Sequence, residues 1–447
     1  MNRLFGTDGI RGVADIFPLD LKTVAAIGES LARRYADKLG RAPTFLTGRD
    51  TRESGTRLEA ALHAGALAGG AAIESAGVIT TPGVAYLTRE FGFDAGIVIS
   101  ASHNPFEDNG IKIFLPSGRK IDEETERAIE GDIHAGTEVE TKDLSVLHSG
   151  RVAEFHAAYV EHLLAAFPEL DLRGLKIAVD CANGAACEFA PDVFKKLGAE
   201  VLAIHDQPNG RNINFECGSL HLGGVRDLTV ENSADIGVAF DGDSDRALFV
   251  DELGNIVDGD AVLWILGCLF DDQGQLPNKT VVATVMSNIG LEIAFASRGI
   301  KLVRAAVGDK YVLEELLKTE SKLGGEQSGH IIVPEQSLVG DGIMTALFLL
   351  RAMRTSGKEL SELTAGFVRY PQVLVNVKVK EKRPFDGVSD VAVLSREIED
   401  ELDGKGRLLL RYSGTENLAR VMIEGEDQKS IESQAKRLAD VISVSLG

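Results

Sequence analysis

Ser100-Ala101-Ser102-His103-Asn104-Pro105, followed by Asn109-Gly110-Ile111-Lys112, sets a hydroxyl, an imidazole and an ammonium in one short stretch between two apolar segments. Those groups could serve as a covalent phosphate carrier, with the hydroxyl as acceptor and the imidazole and ammonium handling proton and charge. An ordinary polar turn after a strand has the same composition, because Ser and Asn bond locally to the backbone. A second stretch, Asp241-Gly242-Asp243-Ser244-Asp245-Arg246, carries carboxylates at alternate positions between the apolar segments 236–240 and 247–250. Two carboxylates about 4 Å apart repel by roughly 4 kcal/mol at an effective dielectric near 20. Convergent acids therefore protonate or bind a cation, and oxygen-only ligands suit Mg²⁺ or Ca²⁺. A solvated acidic turn is the plain alternative. A calcium loop is suggested by Glu252, twelfth counting from Asp241, but Arg246 stands where that loop needs Gly and the flanks read as buried strands. An Mg²⁺ site with Arg246 turned toward phosphate is the better reading.

The elements that must position these stretches follow from periodicity. Short strands alternate with helical segments along most of the chain, which predicts an α/β architecture with parallel or mixed sheets. Leu21, Val24, Ile27, Leu31 and Tyr35 make one apolar helix face that ends at Gly40, before a strand at 44–47. Segment 94–99 leads into the serine stretch, 235–240 into the acidic stretch, and Lys322-Leu323 into Gly324-Gly325-Glu326-Gln327-Ser328-Gly329-His330. Each then returns into an apolar strand, at 112–115, 247–250 and 331–333. This internal repeat predicts three related α/β units with mixed sheets, each giving one chemical loop to a central cleft. From about Val368 the texture changes to alternating Val373, Val375, Val377 and Val379, a helix, two strands and a last helix. That reads as a smaller C-terminal α+β two-layer domain whose loop Arg411-Tyr412-Ser413-Gly414-Thr415-Glu416-Asn417 offers NH groups, hydroxyls and a guanidinium to an anion. The expected domains are 1–150 (serine loop), 151–256 (metal-binding loop), 257–367 (sugar-recognition loop) and 368–447 (phosphate-binding).

Composition narrows the partners. The 447 residues are 44% apolar and 26% charged, ordinary for a globular chain of roughly three to four domains. A net charge of −21 argues against nucleic acid or an anionic membrane as partner. Cations for phosphate must instead be gathered locally. Cys181, Cys187, Cys217 and Cys268 show no CxxC spacing, so neither a zinc site nor a disulfide framework is indicated. No charged-then-apolar leader is visible, and the longest apolar run, 261–270, is far short of the ~20 residues that span a bilayer. A cytoplasmic protein is expected, and a homodimer is compatible with this composition.

With these loops in order the chain resembles the α-D-phosphohexomutase superfamily from end to end, and within it is most similar to the bacterial phosphoglucosamine mutases. The resemblance rests on Gly6-Thr7-Asp8-Gly9-Ile10-Arg11-Gly12, the serine and acidic loops, Val307-Gly308-Asp309-Lys310-Tyr311-Val312 and 325–330, where Gln327 replaces the Met usual in phosphomannomutase/phosphoglucomutase relatives. It implies an isomerase in which phosphorylated Ser102 donates to glucosamine 6-phosphate through glucosamine 1,6-bisphosphate, toward amino-sugar nucleotide and cell-wall precursors. Phosphomannomutase/phosphoglucomutase activity is the alternative. It implies one Mg²⁺ on Asp241, Asp243, Asp245 and a phosphoserine oxygen of Ser102. Arg11, Lys112 and Arg246 would stabilise charge, and His103 and His330 would handle protons. Glu326, Ser328 and Lys310 would bind the sugar phosphate, and Arg411, Ser413, Gly414, Thr415 and Arg420 would hold the phosphate that is not reacting. Tyr412 and Asn417 stand where the family usually carries proline, which implies looser phosphate binding there.

Overall fold

The computed structural model describes residues 3–136, 146, 150–413 and 417–447. Its strands form four sheets. The first contains β1 (Phe5–Gly6), β2 (Gly9–Val13), β3 (Thr44–Arg49), β4 (Ala72–Val78), β5 (Ala95–Ile99) and β6 (Asp108–Phe114), in the order β1-β2-β6-β5-β3-β4. The second contains β7 (Lys176–Asp180), β8 (Glu200–Ile204), β9 (Ile236–Phe240), β10 (Ala247–Asp251) and β11 (Ile256–Val257), in the order β11-β10-β9-β7-β8. The third contains β12 (Thr280–Thr284), β13 (Lys301–Ala305), β14 (Gly324–Gly325) and β15 (Ile331–Ile332), in the order β13-β12-β14-β15. β16 (Gln372–Lys378), β17 (Arg407–Tyr412) and β18 (Leu418–Glu424) form an antiparallel sheet with β18 central. Helices between the strands complete the expected α/β fold, with the smaller α+β domain at the C-terminus.

The 3.6-residue periodicity is realised in the helix Leu21–Leu39. Asp20 caps its N-terminus by accepting from the Thr23 amide at 3.0 Å, and Gly40 ends it at φ 67°, a left-handed conformation that glycine adopts without a Cβ clash. Its apolar face packs on the helix Gly55–Ala68 and on Phe45 and Ile97 of the first sheet. The two helices approach so closely that a Cβ on Gly28 would lie 2.4 Å from the Leu62 carbonyl oxygen and one on Gly65 would lie 1.8 Å from that of Ala25.

One topological device recurs. β5–β6, β9–β10 and β14–β15 are each antiparallel neighbours, and each pair is joined by one of the polar loops read from the sequence. The third launching strand falls on Gly324–Gly325 themselves, two residues later than Lys322-Leu323.

The chain forms two compact units: residues 1–286 with 303–365, and 287–302 with 366–447. In the second unit Asn288 caps the helix Ile289–Ser297 and also donates to the Tyr370 carbonyl at 3.0 Å. Glu424, wholly buried, accepts from the Ile289 amide and from Arg407. Among the described residues no helix is long and apolar enough to cross a membrane.

Candidate functional site

The serine loop is held from below before any ligand is considered. Ser102 lies at φ 53°, a left-handed conformation that costs a non-glycine residue about 1–2 kcal/mol. Its amide donates to Ser100 Oγ at 2.9 Å, and Ser100 in turn donates to Asp50 Oδ2 at 2.6 Å. Arg52, also wholly buried, pairs with Asp50 at 2.8 Å and spreads its guanidinium over the carbonyls of Ser102 (2.9 Å), Asn104 (2.8 Å), Asp108 (3.0 Å) and Pro105. Asn214 adds bonds to the Ser102 and Asn104 carbonyls at 2.8 and 2.9 Å. The loop is therefore clamped with the Ser102 hydroxyl donating to Asp241 Oδ2.

Asp241, Asp243 and Asp245 converge as the sequence spacing predicts. Their ligand oxygens lie within 4.8 Å of one another and all three residues are buried. Gly242 makes this approach possible, since a Cβ there would sit 2.6 Å from the Ser102 carbonyl oxygen. Lys112, returned by β6, places its ammonium 2.7 Å from Asp243, 3.0 Å from Asp245 and 3.1 Å from Asp8. Burial disfavours that charge, but the three carboxylates outweigh it and raise the Lys112 pKa well above its usual value. Burial, then the charges of Asp245 and Asp243, push the Asp241 carboxyl well above the carboxylate range. For Asp245 burial acts in the same direction, yet Lys112 and His330 hold the group well below that range. Asp243 Oδ1 and Asp245 Oδ1 are buried with no hydrogen-bond partner among the described residues. An all-oxygen donor set with two orphaned acceptors fits a small hard cation such as Mg²⁺.

Above the triad opens a cavity of about 640 Å³, into which Arg11, His103, Arg246, Glu326, Ser328 and His330 all contribute lining atoms. Arg246 donates to His103 Nδ1 at 3.0 Å, so the proton of the neutral ring lies on Nε2. Burial, reinforced by Arg246 and Arg11, lowers the His103 pKa to about 4. His330 lies 3.7 Å from Asp245 and 3.6 Å from Asp309 and accepts the Gly340 amide on Nε2 at 2.9 Å. That hydrogen bond selects the Nδ1–H tautomer facing Asp245. Burial lowers the His330 pKa, but Asp245, Asp309 and Glu326 more than offset it, and the net shift is upward. The two histidines expected to handle protons are thus driven apart.

Lys310 lies elsewhere. Its ammonium is 3.6 Å from Glu123, and it lines a second cavity of about 390 Å³ together with Arg119 and Tyr311. Arg411 and Arg420 belong to the second compact unit, as direct cross-strand partners on β17 and β18. Burial and the neighbouring Arg420 charge lower the Arg411 pKa. Ser413 is buried, donates its amide to Leu418 and accepts Lys382 on its carbonyl at 2.7 Å. Gly414 and Thr415 lie outside the described residues. The Tyr412 ring stacks on Phe385 at 4.2 Å and its hydroxyl donates to the Arg383 carbonyl at 2.6 Å.

Sequence reasoning missed the groups that hold these side chains. Asp8 accepts Arg11, Lys112 and Lys120, and Lys120 reaches on to Asp309. Asp8 stood within a quoted motif without a role. For Arg52 the available signal is the charged run Arg49-Asp50-Thr51-Arg52 at the end of β3.

Three α/β units, each handing one polar loop from an antiparallel strand pair, together with a small C-terminal domain, define the phosphohexomutase fold. A phosphoglucomutase/phosphomannomutase family protein from Burkholderia thailandensis has this fold, with a TM-score of 0.79 at 22% identity over 99% of this chain and 97% of that one. So does Aspergillus fumigatus N-acetylphosphoglucosamine mutase, solved with GlcNAc-6P and magnesium, with a TM-score of 0.68 at 19% identity over 99% and 96%. Residues 2–140, 157–254 and 258–370 match the phosphoglucomutase/phosphomannomutase alpha/beta/alpha domains I, II and III, and 374–441 match the C-terminal domain. The chain belongs to the phosphoglucomutase/phosphomannomutase family. Its relatives include the phosphoglucosamine mutases of Solibacter usitatus, 48% identical over 99% of both chains, and Caldicellulosiruptor bescii, 47% identical over the whole of both.

Proposed function

We propose that the chain is a phosphoglucosamine mutase, interconverting glucosamine 6-phosphate and glucosamine 1-phosphate by intramolecular phosphoryl transfer. The observation that carries this is the Ser102 hydroxyl, clamped in a strained loop and hydrogen-bonded to a convergent carboxylate triad beneath a cavity lined by Arg11, His103, Arg246 and His330. The full-length relatives' names supply the amino sugar. Gln327 lines the cavity, and its buried Nε2 has no hydrogen-bond partner among the described residues.

In this reading the resting enzyme carries phosphate on Ser102. The 1-hydroxyl of glucosamine 6-phosphate attacks phosphorus, the P–Oγ bond breaks, and the hydroxyl proton passes to a base as Ser102 leaves. The bisphosphate turns over in the cleft, Ser102 Oγ attacks the 6-phosphorus, the P–O6 bond breaks, O6 takes up a proton, and glucosamine 1-phosphate is released. Mg²⁺ held by Asp241, Asp243, Asp245 and a phosphoserine oxygen would supply charge neutralisation at the transferring group. Arg11, Lys112 and Arg246 add fixed positive charge without reorganisation. When Arg246 turns to phosphate it frees His103 Nδ1, 3.3 Å from Ser102 Oγ, to hand a proton to Oγ as the serine leaves and to take it back when Oγ attacks the 6-phosphorus. His330, with its Nδ1–H facing Asp245, is the second proton carrier. Glu326 and Ser328 are assigned to the sugar phosphate, and Arg411, Ser413, Gly414, Thr415 and Arg420 to the distal phosphate; Lys310, which lines a different cavity, is left without that role.

Incubating the protein and Mg²⁺ with glucosamine 6-phosphate and a trace of the 1,6-bisphosphate tests the proposal. Glucosamine 1-phosphate is the expected product. Free phosphate would identify a phosphatase, and no change a binding protein. Faster conversion of mannose or glucose phosphates would assign the alternative branch of the family.

A further inference from the structure

Behind the two loops, on the far side of the β7 turn, lies a group of side chains that the phosphoryl-transfer reading does not use. Asp180, at the end of β7, His205, just past β8, and Cys217 bring an oxygen, a nitrogen and a sulfur donor within 4.8 Å of one another. Asp180 and Cys217 are buried, whereas the His205 side chain keeps 35% of its surface exposed and so gives access from solvent. The sequence spacing indicates no zinc site. The fold makes the cluster where three chain segments turn, with Ala182 and Asn183, His205, and Glu216 all at φ between 48° and 54°.

A plain His–Asp pair does not account for the arrangement. His205 Nδ1 is 3.0 Å from Asp180 Oδ2, close enough for that carboxylate to raise the His205 pKa, although the N–H does not align along the contact. Asp180 already takes the Ala182 and Gly218 amides at 2.9 and 3.0 Å, and each of its oxygens can accept again. The ligands of one tetrahedral zinc, at about 2.0 to 2.3 Å from the metal, stand roughly 3.3 to 3.6 Å apart. We infer that Asp180, His205 and Cys217 form a binding site for a thiophilic divalent cation of the zinc class, with the fourth position open to water on the exposed His205 side. Sulfur and imidazole select against Mg²⁺, just as the all-oxygen triad selects for it, so the two sites divide cations by hardness.

The site has a route to the chemistry. The turn it would cross-link donates the Ala185 amide to the Gly242 carbonyl at 2.8 Å, and the Asn183 carbonyl accepts Thr51 Oγ1 at 2.6 Å. Asn214, which clamps the serine loop, donates its amide to the Ala182 carbonyl at 2.9 Å. An ion here would stiffen the common support of both loops.

The test is titration of the full chain with Co²⁺ under saturating Mg²⁺, followed by optical absorption. The acidic triad contains no sulfur, so sulfur-to-cobalt charge-transfer absorption reports the thiolate site alone. One equivalent of Co²⁺ should produce it, Zn²⁺ should displace it, and Cys217→Ser should abolish it while Cys268→Ser leaves it intact. His205→Gln, at the more exposed ligand, should weaken Co²⁺ binding at least tenfold without disturbing the fold. No such absorption, its survival in Cys217→Ser, or unchanged Co²⁺ affinity in His205→Gln would overturn the assignment.

Discussion

Arg52 shows how much of the site is decided one residue away from the chemistry. Its guanidinium serves four loop carbonyls and one carboxylate from a wholly buried position. Lysine, with a compact ammonium, cannot reproduce that fork. Arg52→Lys should strip a donor from several of these carbonyls, at about 0.5–1.5 kcal/mol for each bond lost, while Asn214 still serves those of Ser102 and Asn104. Part of that cost should appear as misplacement of Ser102, so kcat should fall at least tenfold while KM changes little. Steady-state kinetics on the folded variant decide it, and an unchanged kcat would mean that the clamp is structural only. Asp243 poses the complementary case. Its Oδ2 takes both Lys112 and Thr81, so Asp243→Ala removes a metal ligand and also a partner of a buried ammonium. Asp8 and Asp245 still hold Lys112 at 3.1 and 3.0 Å. The fold should therefore survive while Mg²⁺-dependent turnover is lost. A collapsed thermal midpoint with high residual activity would contradict this.

At the scale of elements, the helix Gly342–Ser356 is tied to the acidic loop through the Gly342 amide and the Ser244 carbonyl at 2.9 Å, and its N-cap is Asp341. Asp341 accepts the Met344 amide at 2.9 Å and the Tyr159 hydroxyl at 2.9 Å. Burial nevertheless pushes its carboxyl up to about 6. A raised folded-state pKa means that the folded chain holds this proton more tightly than the unfolded chain. The stabilisation is then fully present below about pH 4 and fades as pH rises through 6. About two pKa units correspond to at most about 3 kcal/mol. Asp341→Asn keeps an acceptor for the cap and removes the titration. Between pH 4 and 6 wild-type stability should therefore decline relative to the variant, measured as thermal midpoints across that range. Parallel profiles would show that Asp341 does not carry the dependence.

For the whole molecule, what could be read in advance was what repeats locally. Three polar stretches each bounded by apolar strands were enough to expect three loop-bearing units, because strand alternation and turn chemistry are written in neighbouring residues. The capped helix ending at Gly40 was legible for the same reason. Pairings across the fold were not. Arg52 is 50 residues from the Ser102 carbonyl it binds, Lys120 is 189 from Asp309, and Glu424 is 135 from the Ile289 amide. That last bond belongs to the compact unit that residues 287–302 form with the C-terminal segment, a grouping that no local texture marks. The His103 and His330 shifts were hidden likewise, since each is set by charges delivered from other elements.

The central claim is that Ser102 is the residue through which phosphate passes. Incubation with the 1,6-bisphosphate labelled in one phosphoryl group, followed by peptide mass spectrometry, tests it directly. Label should appear on Ser102, be chased off by unlabelled glucosamine 6-phosphate, and be absent from Ser102→Ala. Label on Ser100, or exchange that proceeds with no phosphorylated serine, would contradict the account.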